Sequence, residues 1–492
     1  MIPALDAGAL VFPPFAAYAT AAAVLAWGRK PRAREAASLA GAALAVASLA
    51  PWVPRVAAGE RPEVVLLRVF SGASFALRAD PYGLVFALVA SSLWFATTVY
   101  SIGYMRGLRE HAQTRYYASF AAAVGSALGV ALAANLLTLY VFYEALTLAT
   151  YPLVVHKESA EALRAGRKYL AYTLTAGLLL LAGTVALYWT TGTLEFRPGG
   201  IGALESAPRT GVRVLFWLLV AGFGVKAALV PLHGWLPTAM IAPTPVSALL
   251  HAVAVVKAGV FGCVRMVAFV FGPSLLSESG DAAVLCGIAS VTILAGSLLA
   301  LVQDNLKRRL AFSTVSQLSY IVLGAALLTP SGWLGSGFHL VNHAFLKITL
   351  FFCAGAIYVE TGYERVSELG GIGRRMPLTM LAFALASLGL AGIPPMGAFW
   401  SKWYLCLGSL EAHEIVFALV LVASGLLNLA YFVPIVYVAF FGRRGTAATP
   451  TEARPSLLFP LLATAVVSVL LGLWPGLGFG LFELVRAALP VR

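Results

Sequence analysis

Apolar stretches of about 20 residues, long enough for a helix to cross a bilayer, recur along the chain between short polar breaks. The pattern predicts spans near residues 8–27, 36–54, 82–103, 116–134, 136–156, 168–190, 212–235, 244–271, 282–303, 309–328, 333–360, 377–410, 415–441 and 456–476. Only Asn135 separates the fourth span from the fifth. Residues 478–489 read either as an extension of the last span or as a surface-lying segment. The longest connection, about 55–81, contains the alternating run VVLLRVF, which suggests a hairpin.

Composition agrees with lipid as the main solvent. Of 492 residues, 60% are hydrophobic and 11% charged, and the mean hydropathy is +0.86. A soluble domain carries roughly 25% charged residues, so a soluble enzyme, a nucleic-acid binder and a disordered chain are excluded. The net charge of +13 resides in short loops. With the N-terminus outside, inward loops hold 20 Lys/Arg, outward segments nine, and five fall inside spans. That bias predicts both termini outside, in agreement with an even number of crossings. The first stretch has no basic residue before it and no small-residue cleavage site, so it reads as a retained span. Cys263, Cys286, Cys353 and Cys406 lie in or beside apolar stretches without a paired spacing, which predicts free buried thiols.

The informative residues are charges where charges are costly, about 2.5–3.5 kcal/mol each at mid-membrane even on the lenient scale. Glu144 is the one acid near a span centre, with Tyr140, Thr147 and Tyr151 on the same narrow helix face. Lys226 follows Gly222 and Gly224 and precedes Pro231, so its helix should break just after the lysine, beside an internal polar site. His251 and Lys257 share the eighth span; His251 reads equally as a satisfied buried histidine and as a proton carrier. His339, His343 and Lys347 recur every four residues on one face of the eleventh span. No third metal ligand is evident there and a lysine extends the row, so a hydrogen-bonded relay is the better reading than a metal site. In the twelfth span Gly392, Pro394, Pro395 and Gly397 interrupt the helix ahead of Lys402.

Broken helices carrying lysines thus stand five spans apart, the mark of a five-helix repeat. The predicted division of a single membrane domain is 1–110 for N-terminal helices, 111–272 and 280–442 for two repeats, and 455–492 for the C-terminal helix. Burial in apolar surroundings makes a lysine's proton exchangeable nearer neutral pH, and a nearby carboxylate opposes this. Successive buried Lys and His therefore describe a lateral proton path.

LYVFYEALTLATYPLV, VKAALVPLHGWLPTAMIAPTPVSALLHAVAVVKAGV and GIPPMGAFWSKWYL resemble the proton-conducting antiporter-like membrane subunits. These comprise the D-type subunit of multi-subunit Na+/H+ antiporters and the related subunits of NADH–quinone oxidoreductase and membrane-bound hydrogenases. The resemblance covers roughly residues 80–440 and is most specific over 215–262. It implies an all-α polytopic membrane fold of about 14 helices, with two inverted five-helix repeats and helices 7 and 12 broken. It also implies proton translocation through Glu144, Lys226, Lys257 and Lys402, with His251, His339, His343 and Lys347 as relay positions. Na+ or K+ is a candidate coupled ion, other membrane subunits are the expected partners, and the setting is the bilayer of the bacterial inner membrane.

Among subtypes, Lys402 replaces the glutamate usual in the M-type, and an L-type would continue into a long lateral helix. The N-type usually differs around the glutamate, so the D-type or a hydrogenase counterpart fits best. No catalytic centre, cofactor or metal motif is legible, and no nucleic-acid partner is expected. The rival readings are an organic-solute transporter and a scaffold with vestigial charges.

Overall fold

A computed structural model describes residues 7–442, 451–476 and 480–488 of the chain. The helices, one label per span, are α1 (Ala7–Ala26), α2 (Pro31–Leu49), α3 (Pro81–Gly107), α4 (Gln113–Ala131), α5 (Leu136–Val154), α6 (Ala160–Thr191) and α7 (Arg209–Lys226). They continue with α8 (Thr244–Phe271), α9 (Asp281–Leu301), α10 (Leu306–Ala326), α11 (Pro330–Thr361), α12 in two pieces (Pro377–Ala391 and Gly397–Glu411), α13 (Ile415–Phe441) and α14 (Pro455–Leu473). Ten helices of the described residues are long and apolar enough to cross a membrane unaided. The remaining four, α4, α7, α10 and the divided α12, complete the expected fourteen.

Local chemistry fixes the helix starts. Asp80 accepts from the Gly83 amide at 2.8 Å, with Pro81 in the first turn of α3. Asn135 and Asn305 cap α5 and α10 in the same way, accepting from Thr138 N at 2.9 Å and Arg308 N at 3.0 Å. The closely spaced pair α4 and α5 is therefore two helices, and Asn135 is the reason.

The two caps belong to a register running through the molecule. Helix α4 ends at Ala131 and α9 at Leu301; α5 begins at Leu136 and α10 at Leu306; α8 ends at Phe271 and α13 at Phe441. Helices α6 and α11 are both 32 residues long and start at Ala160 and Pro330. Every pair is separated by 170 positions. Both long helices end on a left-handed glycine, Gly192 at φ 69° and Gly362 at φ 74°. Just beyond, Glu195 bridges to Asn135 and Arg365 to Asn305. Five crossings is an odd number, so the second block enters the bilayer from the opposite face. The repeats are inverted.

One element departs from an all-helical chain. Residues Glu63–Phe70 (β1) and Ala73–Arg78 (β2) form the expected antiparallel hairpin, with Glu63 opposite Arg78 and Phe70 opposite Ala73. After α14, the helix Leu481–Ala487 packs back on the protein through buried Leu484 and Val485, the latter against Gly337 of α11. Residues 478, 479 and 489 of that stretch, and loop arginines Arg443 and Arg444, lie outside the described residues.

Helices α8 and α11 are enclosed along their entire apolar windows. Outer helices instead turn Leu148, Leu178, Leu298 and Leu426 outward, as lipid-facing surfaces do. The two enclosed helices carry five of the eight expected site residues.

Candidate functional site

Helix α7 stops at Lys226, as the glycine and proline spacing predicts. Ala228 is left-handed (φ 58°) and the Val230–Pro231 peptide is cis. The chain does not resume helical form until Trp235, whose indole N–H donates back to Val225 O at 2.7 Å. This loop is held from two sides. Val230 N donates to Thr292 Oγ1 of α9 at 3.0 Å, and Gly259 of α8 lies so close that a Cβ there would fall 2.2 Å from Ala227 N.

Lys226 is fully buried. Its ammonium donates to Tyr143 O at 2.6 Å and lies 3.4 Å from the centre of the Tyr143 ring. Glu144, one residue further along α5, packs against α6 at Gly177, where a Cβ would fall 2.6 Å from its carboxyl carbon. Its Oε1 is buried without a hydrogen-bond partner. Glu144 and Lys226 act on each other electrostatically, yet no ion pair joins them among the described residues. Of the expected stripe, Tyr140 is in electrostatic reach of Glu144, whereas Thr147 bonds its own helix at Tyr143 O.

A second group gathers on α8, α11 and α12. Lys257 donates to Leu340 O of α11 at 2.8 Å. His251 sits in a π-helical turn, Leu249–Val253, with its ring 4.9 Å from Phe351 and neither nitrogen bonded. Such turns are rare and frequent at functional sites. His343 is in electrostatic reach of Lys257, Lys347, His339 and His251. His339 bonds Ser401 Oγ at 2.9 Å, stacks on Tyr320 at 5.1 Å and senses both Lys257 and Lys402. Lys347 donates to Leu310 O at 3.1 Å and to Ser313 Oγ of α10.

Lys402 shows how the break builds its own site. In a helix, the carbonyls of Leu390 and Ala391 would accept from positions 394 and 395, but both are prolines and have no N–H. Lys402 Nζ donates to both orphaned oxygens, at 2.7 Å and 3.0 Å. Asn428 of α13 shares Leu390 O at 3.3 Å.

Electrostatic reach links Glu144 with Lys226, and links His251, Lys257, His339, His343, Lys347 and Lys402 through the histidines, so the eight expected residues fall into two groups. Between Lys226 and Lys257 no hydrogen bond is made among the described residues; Gly259 against the loop backbone is the contact. The buried lysines each donate to a main-chain carbonyl, partners that the sequence does not reveal. Sequence reasoning also missed the partner of the fifth in-span cation. Arg265 is fully buried, paired with Asp80 at 2.5 Å and ringed by Tyr82, Phe196, Phe261 and Phe269. The Asp-Pro start of α3 was its only legible signal. The four cysteines are free, as expected.

Comparison with known proteins agrees with this architecture. Residues 133–427 match the family described as NADH:quinone oxidoreductase/Mrp antiporter, TM. The N subunit of the NADH-quinone oxidoreductase of Desulforudis audaxviator is 37% identical over 414 residues, covering 80% of this chain and 81% of that one. The A/B subunit of a probable K(+)/H(+) antiporter of Rhizobium meliloti is 33% identical over 413 residues, of whose length the chain spans 40%. In three dimensions the chain superposes on one from the Mrp complex of Dietzia sp. with a TM-score of 0.89, 26% identity and coverage of 98% and 97%. A chain of the archaeal membrane-bound sulfane sulfur reductase shares the fold at a TM-score of 0.86. The chain is an integral membrane protein belonging to the NADH:quinone oxidoreductase/Mrp antiporter transmembrane family, the antiporter-like proton-translocating subunits.

Proposed function

We propose that this chain carries protons across the bacterial inner membrane as the D-type subunit of a multi-subunit cation/proton antiporter, with both termini outside and other membrane subunits as partners. The observation that carries this reading is the row of ionisable groups that runs from half-buried Glu144 through the enclosed Lys226, Lys257 and His343 to Lys402. In that row Glu144 and Lys226 form a charge pair whose separation or approach loads and unloads the lysine. Lys257, His251, His339, His343 and Lys347 relay between the two broken helices, and Lys402 is the second terminal lysine. Na+ or K+ is the exchanged cation.

A second reading has a specific basis. The N-type relative, at 37% identity over four-fifths of both chains, favours a proton-pumping subunit of a quinone-reducing complex, although the sequence around Glu144 had set the N-type aside. Flux in vesicles containing the assembled complex separates the two. Proton movement that requires Na+ or K+ and disappears in Lys226→Ala and Glu144→Ala supports the antiporter. Cation-independent proton movement driven by quinone reduction supports the second. Unchanged flux in both variants would overturn the charge-pair assignment.

A further inference from the structure

On the basic-loop side of the molecule, the connection after α3 meets the connection between α5 and α6. Three side chains converge there. Glu110 Oε2 stands 3.9 Å from His111 Nδ1 and 3.7 Å from His156 Nε2, and one ligand atom from each of the three lies within 4.8 Å of the others. The two rings are offset-stacked with centroids 4.9 Å apart.

His156 is the informative member. Its side chain is fully buried, and neither ring nitrogen has a hydrogen-bond partner. An unsatisfied buried polar group of this kind costs about 1–3 kcal/mol. The 3.7 Å from Nε2 to the Glu110 carboxylate is too long for a hydrogen bond. In a tetrahedral site with bonds of about 2.0–2.1 Å, ligand atoms lie about 3.3–3.4 Å apart. The two separations from Glu110 exceed that by roughly half an ångström and the third, up to 4.8 Å, by more, so exposed His111 must turn inward to close on an ion.

We infer that Glu110, His111 and His156 form a binding site for a borderline divalent cation of the Zn2+ class, with the fourth position open to water. The ligand set is two imidazoles and one carboxylate, the chemistry such ions select, and hard cations that demand six or more oxygens are excluded by it. Nearby charge is mixed. Lys157 is adjacent, whereas Arg115 is taken up by Glu158 at 2.5 Å and donates to His156 O at 3.2 Å. The backbone of His156 is thereby anchored while its ring stays free to adjust.

The site is linked through Tyr104 to the start of α8. Glu110 is in electrostatic reach of Tyr104, whose hydroxyl accepts from Thr244 Oγ1 at 3.4 Å at the start of α8. A bound cation would place positive charge at the mouth of the helix that carries His251 and Lys257.

The test uses the full chain, purified without a polyhistidine tag, and titrates it with Zn2+ by calorimetry and with Co2+ by visible absorption. The expected result is one Zn2+ per chain and tetrahedral Co2+ bands. Exposed His111→Ala is the variant least able to disturb folding, and Glu110→Gln keeps the side-chain shape. Each is expected to weaken Zn2+ at least about tenfold to a hundredfold and to abolish the Co2+ bands. Absence of stoichiometric Zn2+ binding by the wild type, or equal affinity in both variants, would overturn the site. Both readouts are independent of proton flux, so failure of the transport reading leaves them intact.

Discussion

Lys226 grips Tyr143 twice, through a 2.6 Å hydrogen bond to its carbonyl and through the face of its ring at 3.4 Å. The residue next along the helix is Glu144, whose carboxyl packs at Gly177 of α6 and acts on the lysine electrostatically without an ion pair among the described residues. A desolvated cation–π contact is worth about 2 kcal/mol, roughly a 30-fold bias toward this resting position. Tyr143→Leu removes the ring and leaves the carbonyl; Tyr143→Phe keeps both. Proton flux in vesicles is expected to change severalfold or more in the leucine variant and little in the phenylalanine variant. Equal behaviour of the two would remove the ring from the mechanism.

Gly177 tests Glu144 without touching its charge. A methyl group at Gly177 would meet the carboxyl at 2.6 Å, whereas one at Gly287 of α9 would meet nothing within 4 Å. Both substitutions to alanine favour the helix by about 0.5–1 kcal/mol. Flux is expected to fall in Gly177→Ala toward the level of Glu144→Ala and to stay at the wild-type level in Gly287→Ala, with both complexes assembled. A fully active Gly177→Ala complex would show that Glu144 need not occupy this position.

The paired prolines of α12 matter through the carbonyls they strand. Replacing Pro394 and Pro395 together by alanine restores two N–H donors for Leu390 O and Ala391 O, which then compete with Lys402. Flux is expected to drop at least severalfold although Lys402 itself is unchanged. Retained flux would mean that the lysine works without its carbonyl pair.

Arg265 and Asp80 are a stability prediction. Asp80→Ala leaves a fully buried guanidinium unpaired and is expected to cost about 3–5 kcal/mol, read as an earlier thermal unfolding transition in detergent. Combining it with Arg265→Met removes the stranded charge and should recover the loss except for about 0.5–2 kcal/mol that the Asp80 cap on Gly83 N contributes. A double variant as unstable as the single would show that the cost lies elsewhere.

Asp304, in the loop between α9 and α10, gives a pH signature. Its carboxylate accepts from Ser367 N and Ser367 Oγ, both at 2.9 Å. The amide bond first, then the hydroxyl and the Arg365 and Arg309 charges, hold its pKa below the usual 3.8 despite some burial. A depressed folded value means that the contribution is complete above pH 3.8 and is lost as pH falls through the folded pKa. The thermal transition of wild type is expected to exceed that of Asp304→Ala by a small margin at pH 7, no more than about 1 kcal/mol, and the margin should close below pH 3.8. A margin independent of pH would assign the effect to packing.

Helix number, both breaks and the enclosed charges were legible because each follows from local rules: span length, proline's missing donor, and the cost of charge in lipid. The 170-residue register was only partly legible. Its signs are single residues, Asn135 and Asn305 as caps and Gly192 and Gly362 as stops, and these are meaningful only once the helix ends are known. The lysines' partners were hidden for a different reason. A main-chain carbonyl has no sequence signature, except at Leu390 and Ala391, where the prolines four residues on identify the acceptors. Asp80 and Arg265 lie 185 residues apart, and only the packing of α3 against α8 brings them together.

The enclosure of α11 has a consequence for how the chain is made. This helix carries His339, His343 and Lys347, and its shielding is completed by α12 and α14, which leave the ribosome after it. During synthesis its polar face therefore precedes part of its cover into the bilayer. The helices already inserted, above all α8 and α10, must act as an internal chaperone for it, with Leu310 O and Ser313 Oγ ready to receive Lys347. Order of synthesis, as well as final packing, constrains where such a chain can keep its charges.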